Sequence, residues 1–283
     1  MDLRILRYFL AVAGEGHVGR AAARLHMTQP PLSRAIRQLE DELGVALFER
    51  TPRGVTLTAA GAVLHEEAAE LLGRADRLRS RVVAAGGTAT LTVGTLADAA
   101  EQVGGRLVSR FRSRHPHVQV SIHEADLSDP TAGLRTGLVD VALTRTPFDD
   151  NGISIRGLRS VPVGVVLRAD DPLAKCASVS PDALAERRWV RLPDGIDPVW
   201  TEYWTGPADP AQPVRRTIQE CLQAVLWNGV CALAPADQPL PDGLVVVPVD
   251  GRAPSEVVVA WPKSGGSPLV RSFVAVAVQS WGS

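Results

Sequence analysis

No apolar run in this 283-residue chain approaches the roughly 20 residues that a membrane span requires. The opening segment, MDLRILRYFLAVAGEGH, lacks a basic start and a small-residue cleavage site, so no secretory signal is expected and the chain is read as cytoplasmic. Cysteine is scarce: three residues without close pairing fit a reducing compartment. Neither a Ser/His/Asp constellation nor a phosphate loop is present, and His115-Pro116-His117 lacks further ligands at metal spacing. No catalytic residue, metal ligand or cofactor is therefore assigned, and the chain is not read as an enzyme. Carboxylates are also missing between Glu15 and Glu40, a stretch that holds Arg20, Arg24, Arg34 and Arg37.

The length allows two or three domains, and 45% apolar with 22% charged residues describes a globular protein. The net charge of −1 is uneven: residues 1–87 carry 12 basic and 10 acidic side chains, and the remainder 18 and 21. Because salt screens charges over about 8 Å, the local arginine cluster matters more than the total.

That cluster lies in Val18–Leu43, VGRAAARLHMTQPPLSRAIRQLEDEL, which reads as two short helices with a turn at 25–28. Val18, Ala21, Ala22 and Leu25 form an apolar stripe. Thr28 is placed to cap the second helix with its hydroxyl, and Pro30 and Pro31 fall in the first turn. Leu32, Ile36, Leu39 and Leu43 mark its buried side; Gln29, Ser33, Arg34 and Arg37 mark the other. Such a helix-turn-helix with a cationic, hydrogen-bonding face suits a DNA major groove. Before it, Asp2 caps a helix burying Leu3, Leu6, Phe9, Leu10 and Ala13 and ending at Gly14 and Gly16. After it, Gly44 is the stop, Val45–Phe48 anchor the core, and Arg50–Leu57 reads as a hairpin wing with Arg50 and Arg53 at or near its tip.

A long helix over 58–85 carries Leu57, Gly61, Leu64, Ala68, Leu71, Ala75, Leu78 and Val82 at heptad spacing, which favours a two-chain coiled coil. Beyond Gly86-Gly87, strands at 90–94, 118–124 and 139–144 alternate with helices at 98–114 and 130–136, the order of a parallel sheet covered on both faces. The pattern restarts with a strand at 161–167, a helix at 181–185 and a strand at 188–192. It continues with a helix at 216–227, strands at 230–234, 244–249 and 256–261, and a closing helix at 268–281. Crossovers near 159–161 and 262–266 suggest two lobes around a cleft.

TQPPLSRAIRQLEDELGVALFER resembles the N-terminal signature of LysR-type transcriptional regulators. The later half is similar to that family at Phe111…Pro116-x-Val118, Gly137-x-Val139-Asp140-Val141-Ala142, Asp171-Pro172-Leu173-Ala174 and Gly229…Ala234-Pro235. The resemblance implies an α/β protein with an N-terminal all-α winged helix-turn-helix and a two-lobed sensor like type 2 periplasmic binding proteins. The expected divisions are 1–58 for DNA binding, 59–87 for a dimerisation helix and 88–283 for effector binding. The first lobe takes about 88–160 and 265–283, the second about 161–264. Thr28, Gln29, Pro30, Pro31, Ser33, Arg34, Arg37, Arg50 and Arg53 are the expected DNA contacts. Partners would be double-stranded promoter DNA, an unidentified small-molecule effector, further copies of the chain as a homodimer or homotetramer, and RNA polymerase, with no membrane. Departures are Gly16-His17-Val18-Gly19, where the family often has a Ser cap, Pro31 in place of Ala, and Trp227-Asn228 in place of a small pair.

By the same resemblance Thr95, Leu96, Ala97, Ser128, Thr144, Arg145, Asp194 and Thr217 face the cleft, at strand ends and helix starts where open α/β sheets bind ligands. Trp200, Tyr203 and Trp204 share one helical face, as core or as a ligand cage, with core preferred. Cys221 and Cys231 invite a redox switch, but their positions in a helix and the following strand argue against it. Other readings are an effector-independent regulator, or a cytoplasmic solute-binding protein or enzyme on the same fold.

Overall fold

The computed structural model describes residues 2–281 except 26, 52–53, 86–88, 97–98 and 208. Two units emerge, Met1–Val82 with Thr136–Leu138, and Val83–Arg135 with Val139–Ser283. In the first, α1 (Leu3–Glu15) starts at Asp2, whose carboxylate accepts the Arg4 N–H, and ends at left-handed Gly16. Its buried residues are Ile5, Leu6, Phe9, Ala11 and Val12, while Leu3 is exposed. Leu6 and Phe9 are thus buried as expected and Leu10 packs against the same core, but the buried side extends to Ile5, Ala11 and Val12 rather than to Leu3. Gly14 lies inside the helix rather than ending it.

The helix-turn-helix is α2 (Val18–Arg24) and α3 (Gln29–Leu43). Ala21 and Ala22 are buried, and Val18 and Leu25 pack against the same core. Leu32, Ile36 and Leu39 are buried as expected, but Leu43, last before left-handed Gly44, is exposed. Thr28 has the extended backbone of an N-cap yet makes no side-chain cap. The N–H groups that such a hydroxyl engages belong to the second and third helical residues. Here those residues are Pro30 and Pro31, which have none. At α2 the cap is His17: its Nδ1 accepts the Gly19 N–H at 3.0 Å.

The wing pairs β1 (Phe48–Thr51) with β2 (Gly54–Leu57) antiparallel. Gly54, at φ 142°, lies so close to α1 that a Cβ would stand 2.1 Å from the Gly16 carbonyl oxygen. The same oxygen accepts the Val55 N–H at 2.9 Å. Glu40 Oε1 accepts the Leu47 and Phe48 N–H groups at 2.8 and 3.2 Å, tying α3 to the strand. Leu47 is buried, but Val45 and Ala46 are exposed, so only part of the expected anchor enters the core. Thr58 Oγ1 accepts the Gly61 N–H and donates to the Ala46 carbonyl, starting α4 (Ala59–Ala85). Ala68 and Leu72 join the helix-turn-helix core, whereas Leu71, Leu78 and Val82 are exposed.

In the second unit the chain runs β3 (Thr90–Leu96), α5 (Ala99–Arg114), β4 (Gln119–Ala125), β5 (Val141–Arg145), β6 (Ile153–Val161) and β7 (Val163–Arg168). It continues with α6 (Pro198–Trp204), α7 (Ile218–Asn228), β8 (Ala232–Pro235), β9 (Leu244–Pro248), β10 (Ser255–Pro262) and α8 (Pro268–Trp281). One sheet has the order β4-β3-β5-β10-β6 and the other β8-β7-β9. Strands β4, β3 and β5 are parallel as expected, but β10 enters antiparallel between β5 and β6. The return to the first lobe therefore precedes Ser255, not Pro262, and β6 is a strand that the sequence reading did not anticipate. The second sheet is antiparallel rather than parallel. Residues 188–192 form single bridges, Trp189 to Cys231 and Arg191 to Val214, instead of a strand.

Strand β10 shows why the middle of the first sheet is apolar. Val257 and Val259 pack with Phe111 of α5 and Phe273 of α8, while Val258 and Ala260 pack with Leu96, Val139 and residues of the second lobe. Both faces are covered, so alternation of polar and apolar residues disappears. The expected helix at 130–136 is a set of turns. Asp129 accepts the Thr131 and Gly133 N–H groups, and Ala132 and Gly133 take φ of 51° and 88°, values that no α-helix contains. Residues 181–184 form a short 3-10 turn.

Candidate DNA interface and interlobe site

With Leu32, Ile36 and Leu39 turned inward, α3 exposes Gln29, Pro30, Arg34 and Arg37, with Pro31 and Ser33 half-buried and Thr28 exposed before them. Two arginines of the cluster point elsewhere: Arg24 pairs with Glu15 at 3.2 Å, and Arg20 with the same carboxylate at 3.8 Å. Among the described residues Arg34 and Arg37 form no ion pair, so their charge is available to a polyanion. Arg53 lies outside the described residues, as does the side chain of Arg50.

Between the lobes is a cavity of about 70 Å³, lined by Leu96, Leu127 and Arg145 of the first lobe and by Trp200, Trp204 and Gln238 among residues of the second. Beside it is an open cleft of about 540 Å³ that includes Glu124, Asp126, Arg216 and Thr217 and shares Leu127, Ile218, Leu222 and Gln238 with the cavity. The lobes are joined across this cleft. The Leu127 N–H donates to the Arg216 carbonyl at 2.8 Å, and the Arg216 guanidinium lies 3.6 Å from Asp126.

Of the residues expected at the cleft, Leu96 and Arg145 line the cavity and Thr217 lines the cleft. Thr95 and Thr144 are buried, and the Thr144 hydroxyl donates to the Pro130 carbonyl. The Ser128 N–H and hydroxyl both donate to Asp126. Thr217 caps α7 in a reciprocal box with Glu220. Asp194 lies apart, exposed and paired with Arg191 on a separate hollow around 190–206. Ala97 lies outside the described residues. The sequence reading did not assign Trp200, Trp204, Gln238 or Leu127 to the site. The signal for the tryptophans was their i, i+4 spacing, and they are indeed buried, but against a cavity.

Cys221 and Cys231 are both buried. Burial pushes the Cys221 thiol up to about 12 and Cys231 up to about 11, so the nucleophilic thiolate is scarce near neutrality. Cys231 immediately precedes β8 rather than lying within it. His115 Nε2 meets Ser272 Oγ at 2.7 Å, and no metal-binding cluster occurs among the described residues. No described helix is long and apolar enough to cross a membrane.

Both halves of the chain are similar to known proteins. The family described as "Bacterial regulatory helix-turn-helix protein, lysR family" matches residues 3–62, and "LysR substrate binding domain" matches residues 84–282. The chain is 31% identical to the transcriptional regulator ClcR of Pseudomonas putida over 98% of its own length and 91% of that protein's. It is 32% identical to the Hca operon transcriptional activator HcaR of Escherichia coli, over 98% and 97%. It is 35% identical to AlsR of Bacillus subtilis, spanning 62% of that regulator's length. Among solved structures, full-length BenM aligns over 100% of this chain and 97% of its own with TM-score 0.53 and 26% identity. Oxidised OxyR of Corynebacterium glutamicum aligns over 99% and 91%, also with TM-score 0.53 and 26% identity. With a helix-turn-helix that leaves two arginines outside ion pairs among the described residues, a two-lobed half with a cavity between its lobes, and family matches over residues 3–62 and 84–282, the chain belongs to the LysR family of bacterial helix-turn-helix transcriptional regulators.

Proposed function

We propose that this regulator docks α3 in the major groove of promoter DNA through Gln29, Ser33, Arg34 and Arg37, with Thr28, Pro30 and Pro31 at the groove edge and Arg50 and Arg53 on the wing. A small molecule held between the lobes modulates that binding. The observation that carries the reading is the pairing of two features in one chain: a helix whose outer arginines form no ion pair among the described residues, and a cavity between two lobes bridged at Leu127 and Arg216. Copies of the chain associate through α4, whose Leu71, Leu78 and Val82 are exposed at heptad spacing. A two-fold pair of recognition helices would then read both halves of an interrupted palindrome. The working compartment is the cytoplasm, and RNA polymerase is a further partner. A gel shift with the DNA upstream of the protein's own gene, at low salt, tests the reading. A specific, salt-sensitive complex is expected, and failure to bind any such fragment would overturn it.

A further inference from the structure

Positive charge gathers on one helical layer of the first lobe. Between Gln102 and His123 the chain has Arg106, Arg110, Arg112 and Arg114 and no carboxylate. From Val257 onward it has Lys263 and Arg271 and again none. The fold brings these distant segments together, because α5 and α8 pack side by side against Val257 and Val259 of β10. Phe111 meets Phe273 with ring centroids 5.2 Å apart, and the Arg110 guanidinium donates to the Gln279 carbonyl at 2.8 Å. All six basic residues are exposed, and none forms an ion pair among the described residues. Helix ends explain only part of this charge. Arg112 and Arg114 lie in the last turn of α5, where a cation suits the helix dipole. Arg106 lies mid-helix, and Arg106, Arg110 and Arg114 step by four along one flank. Arg271 lies near the start of α8, where the dipole disfavours a cation. The chain beyond residue 87 is net acidic, with 18 basic and 21 acidic residues, so this face opposes its own background.

We propose that the α5–α8 face is a second DNA-binding surface, which engages phosphates of the DNA flanking the sequence that α3 reads. This rests on the reading of the chain as a promoter-DNA regulator and adds a surface outside the helix-turn-helix. Like charges held together without counter-charges repel one another, and a polyanion relieves that repulsion. Duplex DNA carries about one negative charge per 1.7 Å of its axis, an unbroken anionic complement for a face that lacks carboxylates. Arginines spread along a helix flank meet phosphates, which fix position and add affinity without reading sequence.

The test measures the affinity of the full-length protein at several salt concentrations on two duplexes. One is the site it protects in the DNA upstream of its own gene, and the other is that site with long flanks. The triple variant Arg106→Gln, Arg112→Gln, Arg114→Gln leaves Arg110 and its bond to α8 in place. On the long duplex its slope of log affinity against log salt should be shallower by about 2–3, and on the short duplex it should be unchanged. Arg106→Lys, Arg112→Lys, Arg114→Lys should keep the slope, because a phosphate contact needs the charge and not the guanidinium fork. An unaltered slope for the Gln variant on the long duplex, or an equal loss on both duplexes, would overturn the proposal. So would a Gln variant that sediments without self-association, or one that loses purified RNA polymerase while its DNA slope is intact, since either assigns the face to a protein partner. Failure of the unaltered protein to bind either duplex would defeat the DNA-regulator reading, and this proposal with it.

Discussion

The Leu127 N–H donates to the Arg216 carbonyl at 2.8 Å, joining the two lobes directly through backbone at the cavity edge. The Arg216 guanidinium adds an ion pair to Asp126 at 3.6 Å between partly exposed side chains. Arg216→Ala keeps the backbone bond and removes the charge pair, so stability should fall by only about 0.2–1 kcal/mol. Hydrogen exchange at the Leu127 amide should nonetheless quicken, because opening of the lobes loses one of its restraints. Unchanged exchange would mean that the lobes are held by their apolar contacts alone.

His17 provides a second test. The imidazole takes the capping position at α2, so His17→Ala should cost about 0.5–2 kcal/mol in denaturant unfolding, and His17→Ser should restore most of it. A His17→Ser variant no more stable than His17→Ala would show that the ring acts by packing.

On α3, Arg34→Ala should weaken specific operator binding by about 1–3 kcal/mol if Arg34 meets a base edge. Contact with phosphate would instead lower the salt dependence on every sequence alike. Fluorescence anisotropy on operator and scrambled DNA at several salt concentrations distinguishes the two, and an unchanged affinity removes the assignment.

The association surface is tested on α4. Leu71 and Leu78 are 40% and 62% exposed in a single chain, and covering what remains exposed of each by a partner helix is worth about 0.5–2 kcal/mol. The double variant Leu71→Glu, Leu78→Glu should sediment as a folded monomer and lose operator binding. An intact dimer would locate the contact elsewhere.

In the second lobe the Arg187 guanidinium holds the Asp171 carboxyl below its usual range, through hydrogen bonds of 2.7 and 3.0 Å. A depressed carboxyl pKa contributes stability that is full above the unfolded value, about 3.9, and is lost as pH falls through the lowered folded value. Asp171→Asn should therefore cost about 1 kcal/mol at neutral pH, allowing for solvent screening. The gap to the unaltered protein should begin to narrow near pH 4 and close only below the lowered folded value. A gap independent of pH would assign the loss to packing.

The elements legible from sequence are those with one strong periodicity or sharp punctuation. Helix α8 begins at Pro268 and ends at Trp281 as expected, and α3 stops at Gly44. In α1 Leu6 and Phe9 are placed correctly, and Leu3, in the first turn where the helix leaves the core, is not. Strand β6 was not visible because ISIRGLRSV is largely exposed between its buried ends, Ile153 and Val161. The segment at 130–136 holds Gly133 and two threonines, poor helix formers, and the Asp129 carboxylate engages its backbone N–H groups and diverts the chain into turns. The lobe to which β10 belongs is a matter of long-range pairing that no local pattern encodes. Strand-end reasoning picked out Leu96 and Arg145, which line the cavity. It could not reveal that Trp200 and Trp204, correctly expected to be buried, would be buried around a void.

The position of β10 also sets an order on folding during synthesis. The second lobe's sheet is complete once Pro248 has left the ribosome, and the DNA-binding unit needs little beyond Val82. The first lobe's sheet, although it begins at Thr90, lacks the strand between β5 and β6 until residues 255–262 emerge, and lacks α8 until the chain is nearly finished. While translation continues, β5 and β6 therefore present unpaired edges, the type of surface that chaperones bind and that aggregates. A nascent chain stalled before Ser255 would carry a DNA-binding head and a formed second sheet, but no closed cavity between the lobes.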